Sequence, residues 1–211
     1  TGGLRLRSHV TLYLESGACL KGSRDPEDYV SYLHDSLEPI KEYDYSGPRS
    51  AYPYSRWCNA VIRVIDAENV SVIGEKGSYI DGCNPYDPEG ESGFRGPHGI
   101  DLWRCQDVYL EGYTVVHAGN WAHAIFHSQN IFIDGITIYG GHDGIDVRTC
   151  DHVQIQNCTL ITGDDCVAGF DNERVLVRDC ILNTAAVGFA SEGAMFSLSD
   201  AASSGLHGIS S

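Results

Sequence analysis

The chain has 211 residues, 42 % of them hydrophobic, which is enough for one substantial core without requiring a second domain. Its 29 acids against 14 bases leave a net charge of −15, which argues against a nucleic-acid partner, since that role needs a basic footprint. No apolar run approaches the roughly 20 residues that span a bilayer, so no membrane partner is expected either. The same charge repels a polyanion at long range, but screening over about 8–10 Å confines that objection to a binding groove itself.

The opening Thr1-Gly2-Gly3 carries no initiator Met and no apolar signal segment, and reads as a start in mid-protein. From Leu4 to Ser23 the residues alternate, with Val10, Leu12 and Leu14 facing one way and Thr11, Tyr13 and Glu15 the other. That period predicts strand, with a turn at 15–18. Residues 24–57 break the pattern with prolines and six tyrosines (Tyr29, Tyr32, Tyr43, Tyr45, Tyr52 and Tyr54), too aromatic for disorder. They are expected to form an ordered excursion that packs on the body or roofs a groove. Strands resume at Ala60 to Ile65, at Val70 to Gly74 and at Tyr79 to Gly82, and residues 83–97 form a second, Gly- and Pro-rich loop excursion.

A regular repeat then begins. Segments 120–141, 142–163 and 164–185 superimpose end to end at one constant period, and 97–119 matches with one insertion near Val115. Val108, Ile131, Val153 and Val175 share a phase, as do Leu110, Ile133, Ile155 and Val177, and Ile138, Leu160 and Leu182. Asn130, Asn157 and Asn172 punctuate the turns, and no helical period supports a helix in each unit. The prediction is an all-β solenoid, a parallel β-helix with about three short strands and about 22 residues per coil. Of the eight cysteines, Cys158 and Cys180 share one phase and Cys105 and Cys150 another, so buried thiols are expected rather than disulfides or a zinc site.

Asp143 and Asp165 recur at one phase of this repeat, and Asp164 stands beside them at the phase of His142. Stacked coils bring such residues to roughly 4.8 Å strand spacing. Adjacent Asp164 and Asp165 face the same way only if the chain bends, which Gly163 permits. Three clustered carboxylates cannot all ionise cheaply, so one should keep a proton near neutral pH, dividing a general acid from a general base. The alternative is that one of the pair merely caps a turn. Beside them, Trp103, Phe126, Arg148 and Phe170 form an outward column, with Asp101, Ala124, Asp146 and Ala168 in the next. Rings around an arginine suit a sugar groove, the guanidinium pairing with a uronate; the alternative is that the tyrosine-rich excursion covers these rings. His98, His117, His123, His127 and His142 fall in the same coils as hydrogen-bonding groups, and neither metal nor cofactor is expected.

Asp143-Gly144-Ile145-Asp146 and Gly163-Asp164-Asp165-Cys166-Val167-Ala168 resemble two signature motifs of the polygalacturonase-like glycoside hydrolases, family 28. The opening from Leu4 to Ala18 is similar to the family's early strands. The resemblance implies a right-handed parallel β-helix that hydrolyses pectin-type, galacturonic-acid-containing polysaccharide with inversion, outside the cell or in the periplasm. Carried over by residue, it makes Asp164 the general acid and Asp143 and Asp165 the pair that activates water; His142 and Arg148 are expected among the substrate contacts by their place beside the acids, not by the resemblance. Gly141-His142 replaces the family's Asn-Thr, and the later Gly-His-Gly and Arg-Ile-Lys motifs are absent. A calcium-dependent lyase with Arg148 as base, and a non-catalytic carbohydrate-binding β-helix, remain alternatives.

The repeat stops at Ala185. Most of 186–211 is Ala, Ser or Gly, with no Lys or Arg, and Ser197 stands where the phase of Val175 calls for an apolar side chain. Residues 186–211 are therefore expected to be an irregular tail, a frameshift product after a base lost at codon 185, with a natural linker as the alternative. The β-helix is accordingly expected to be a fragment, incomplete at both ends and prone to self-association through them, and, if the frame is broken, to show little or no hydrolysis through the loss of coils.

Overall fold

The computed structural model describes residues 2–29 and 58–185, with the backbone of two further strands at 189–192 and 196–198. Most of the tyrosine-rich excursion, residues 30–57, lies outside the described residues. Its opening stays with the body: Tyr29 is buried, and its hydroxyl accepts from the Ser23 amide at 2.6 Å and donates to the Ser23 carbonyl at 3.1 Å.

The chain winds in coils of three short strands. The first holds β1 (Leu4–Leu6), β2 (Thr11–Leu14) and β3 (Cys19–Lys21), the second β4 (Ala60–Ile65), β5 (Glu68–Gly74) and β6 (Tyr79–Asp81). The third, after the loop at 83–97, holds β7 (His98–Trp103), β8 (Gln106–Glu111) and β9 (Thr114–Val116). The fourth holds β10 (His123–Phe126), β11 (Gln129–Asp134) and β12 (Thr137–Gly140), the fifth β13 (Ile145–Arg148), β14 (Asp151–Gln156) and β15 (Thr159–Thr162). The sixth holds β16 (Val167–Phe170), β17 (Glu173–Arg178) and β18 (Ile181–Thr184). Every third strand stacks into one of three parallel sheets, and β19 (Phe189–Glu192) and β20 (Phe196–Leu198) extend the first two. This is a parallel β-helix.

The registers carry the repeat that the sequence announces. Ile145 pairs with Val167, Val153 with Val175 and Ile138 with Leu160, each one full repeat on. Ile100 pairs with His123 and Thr114 with Thr137, one position further apart, which puts the single insertion between Thr114 and His123. Residues 186–211 were expected to be irregular, yet β19 and β20 lie within them in backbone register. Val175 stands opposite Phe196 rather than Ser197, because that coil is one position shorter.

Apolar columns fill the lumen. Ile62, Ile100, Ile145 and Val167 are fully buried, as are Val64, Leu102, Ile125 and Val147. His123 fills the gap in the first column, between Ile100 and Ile145. Its Nε2 lies 2.9 Å from the Tyr113 hydroxyl, and burial pushes its pKa down to about 3, so it is a neutral core residue. Val10, which the alternation groups with Leu12 and Leu14, is 38 % exposed, because it follows His9, whose φ of 63° turns the first corner.

Side chains clamp the corner between the first two sheets. The Cys105 amide donates to Ser128 Oγ (3.0 Å), the Ser128 amide to Cys150 Sγ (3.4 Å) and the Cys150 amide to Asn172 Oδ1 (2.9 Å). Each coil thus satisfies a buried N–H of the coil before it. One residue earlier, Arg104, His127, Thr149 and Asp171 all adopt φ between 49° and 53°, which turns the chain into the second sheet. All eight cysteines are free thiols.

Candidate active site

The acids stand just ahead of the first-sheet strands β13 and β16. The Gly144 amide donates to the Asp165 carbonyl (2.8 Å) and the Ala122 amide to the Asp143 carbonyl (3.0 Å), so Trp121, Asp143 and Asp165 form one column. Gly163 and Asp164 form the expected bend. A Cβ at Gly163 would sit 2.4 Å from the Gly141 carbonyl oxygen, so this close approach of coils requires glycine. Hydroxyls then fix the bend: Thr162 Oγ1 donates to the Asp164 carbonyl at 2.6 Å, and Thr184 Oγ1 donates to the same oxygen.

Carboxylate oxygens of Asp143, Asp164 and Asp165 lie within 4.8 Å of one another. Asp143 is 9 % exposed, while Asp164 and Asp165 are half-buried. Burial, followed by the charges of Asp146, Asp164 and Asp165, holds the Asp143 carboxyl up at about 7, against a smaller opposing pull from Arg95. Burial and these neighbouring charges thus favour the protonated form of Asp143 near neutral pH. Three hard oxygens are fewer than the six to eight ligands that Ca²⁺ takes, so a cation here would need water or substrate for the rest.

Arg148 does lie in the outward column with Phe126 and Phe170. Its Nε and Nη2 bind Asp146 Oδ1 and Oδ2 at 2.8 and 2.9 Å, and its guanidinium lies 4.5 Å from the Trp121 ring centroid and 4.9 Å from that of Phe170. Arg148 is thus held by a buried aspartate and by aromatic faces, with its forked edge already occupied. Trp103 and Phe126, expected to line a sugar groove, are 1 % and 2 % exposed. They stack on each other at 4.5 Å and cluster with Cys58, Ile65, Trp121 and Ala124, so neither presents a ring face to solvent. Phe170 remains half-buried.

His142 does sit at the acids, half-buried, with its pKa lowered by burial and by Arg95. His98 packs tilted against Trp121 instead (5.2 Å, 38°), and His123 lies in the lumen, so the histidines do not gather at one point.

The loop at 83–97 adds residues that the sequence reading left out. Its short 3₁₀ turn, Glu91–Gly93, leads into Phe94 and Arg95. The Phe94 ring lies 6.1 Å from that of His142. Arg95 Nη1 donates to Asn120 Oδ1 (3.3 Å) and lies 3.7 Å from Glu91 Oε2, which also accepts from Asn120 Nδ2 (3.0 Å). The signal in the sequence was an aromatic and an arginine just before the repeat phase that later carries the acids.

Residues 46–185 match the model of the glycosyl hydrolases family 28. This chain belongs to that family. A probable polygalacturonase of Vitis vinifera is 27 % identical over 176 residues, covering 80 % of this chain and 34 % of that protein. A polygalacturonase of Saccharomyces cerevisiae is 31 % identical over 130 residues, covering 56 % and 36 %. The chain thus spans about a third of the length of these relatives. The crystal structure of a hyperthermoactive exopolygalacturonase from Thermotoga maritima superposes with a TM-score of 0.66 over 90 % of this chain and 52 % of that one, at 21 % identity, a likeness of fold.

Proposed function

We propose that the chain carries the acid cluster of a hydrolase for galacturonic-acid-containing polysaccharide, cleaving the glycosidic bond by acid–base catalysis. The convergence of Asp143, Asp164 and Asp165 within 4.8 Å, with one proton retained near neutral pH, supports this reading. Asp164 is assigned to protonate the leaving oxygen, and Asp143 and Asp165 to hold and activate water. Burial favours the protonated form of Asp143, so this assignment requires a proton to reach the leaving oxygen through Asp164 once substrate is bound. A polymer of this kind is met outside the cytoplasm, which places the protein's work in the extracellular space or the periplasm.

Inversion rests on the family resemblance. Inverting sites hold their carboxyl groups about 6.5–9.5 Å apart and retaining sites about 5–5.5 Å, so the close approach here makes product stereochemistry a direct test. The expected result is release of reducing ends from polygalacturonate, abolished in Asp164→Asn, with the inverted anomer seen first by proton NMR. An unsaturated, ultraviolet-absorbing product that a chelator suppresses would show a lyase instead. Binding without turnover in wild type and Asp164→Asn alike would show a carbohydrate-binding module.

A further inference from the structure

A polyanionic substrate needs a cation at a site that otherwise gathers negative charge, and the arginine in the sequence motif does not supply it freely. The forked edge of Arg148 is taken by Asp146, which is 1 % exposed. Arg95 is placed differently. The loop at 83–97 returns to the body through the Gly96 amide on the Gly119 carbonyl (3.1 Å) and the Asn120 amide on the Pro97 carbonyl (3.1 Å). Asn120 precedes Trp121, which heads the column of Asp143 and Asp165. Phe94 meets His142, and Arg95 meets Asn120, so the loop forms a wall beside the acids. Nη1 of Arg95 is held by Asn120 and Glu91, while its buried Nε has no hydrogen-bond partner among the described residues. That Nε is sealed from solvent, so an incoming carboxylate would meet the outer edge of the guanidinium, whose side chain stays 18 % exposed.

We propose that Arg95 binds a uronate carboxylate of the substrate beside the acid cluster, and so makes the site prefer acidic over esterified sugar units. This rests on the pectin-type reading above and adds to it the residue that reads charge. The opposing view is that Arg95, Glu91 and Asn120 only pin the loop.

The test is calorimetric titration of the full chain with trigalacturonate and with its fully methyl-esterified counterpart, in wild type, Arg95→Gln, Arg95→Lys and Glu91→Gln. A charge-assisted fork implies on the order of a tenfold or greater preference for the acidic trimer in wild type. Arg95→Gln should lose that preference by weakening only the acidic ligand, and Arg95→Lys should restore part of it. Glu91→Gln removes a competing carboxylate and should raise the preference. Equal weakening of both ligands in Arg95→Gln, or an unchanged ratio, overturns the proposal in favour of a loop pin. Wild type binding both trimers equally overturns it while leaving the sugar site standing, and wild type binding neither overturns both. If Arg95→Gln melts below the assay temperature, Glu91→Gln decides: an unchanged or lowered preference overturns the proposal.

Discussion

Asp143 is more enclosed than Asp164 and Asp165, and that enclosure favours its protonated form. An unperturbed aspartate titrates near 3.9, whereas burial and its acidic neighbours hold Asp143 at about 7. Between those values the folded chain keeps a proton that the unfolded chain has lost. Stability from this group is complete below about pH 4 and is lost as pH rises through about 7. Asp143→Asn removes that loss, so its melting temperature should exceed that of wild type by more at pH 8 than at pH 5. The gain should be on the order of 1 kcal/mol after partial screening; a gain larger at pH 5 would contradict the assignment. Asp101, also raised to about 7 by burial beside Arg63, contributes to both proteins and cancels in the comparison. The convergence of the acids was legible because Asp143 and Asp165 share one repeat phase with Asp164 beside them. Trp103 and Phe126 were misread because alternation reports which way a side chain points, and not what covers it. Arg95 was missed because it sits in a loop outside the repeat.

The strand ladders were legible at the level of single columns, since a solenoid reduces register to counting residues. The corners were only partly legible. Asn130 and Asn157 do mark positive φ, at 55° and 54°, but Asn172 does a different job. Its Oδ1 accepts from the Cys150 amide and its Nδ2 donates to the Val147 carbonyl at 2.7 Å, a bridge between coils that composition cannot reveal. Asn172→Ala would leave two buried backbone groups unpaired, each costing about 1–3 kcal/mol. Denaturant unfolding should therefore show a loss of about 2–4 kcal/mol, with little change in the slope; a loss under about 0.5 kcal/mol would show that water replaces the amide. In the lumen, Ile145→Ala should cost about 2–5 kcal/mol, because rigid coils above and below limit collapse around the cavity. An indifferent melting temperature would contradict the tight packing of that column.

At the scale of the molecule, quasi-one-dimensional stacking makes each coil depend on its neighbours. Among the described residues the first coil has a stacked neighbour on one side only, and it exposes Leu4, Val10 and Tyr13 at 37 %, 38 % and 53 %. Parallel edges of this kind template pairing with other chains. Light scattering behind size-exclusion chromatography should show mass rising with concentration, whereas a constant monomer mass would count against self-association through coil ends. The helical winding was legible from the constant period of the repeat together with the family resemblance. The two strands inside the expected tail were not, because their coil is a position short and their composition is poor in the β-branched residues that announce strands. The central claim is that Asp143, Asp164 and Asp165 act as one coupled cluster, and a carbon-13 NMR titration of aspartate carboxyls tests it without requiring turnover. The signal that disappears in Asp143→Asn should titrate near 7 in wild type and move to lower pH in both Asp164→Asn and Asp165→Asn. A signal titrating in the ordinary range near 4, or one unmoved by either substitution, would contradict the account.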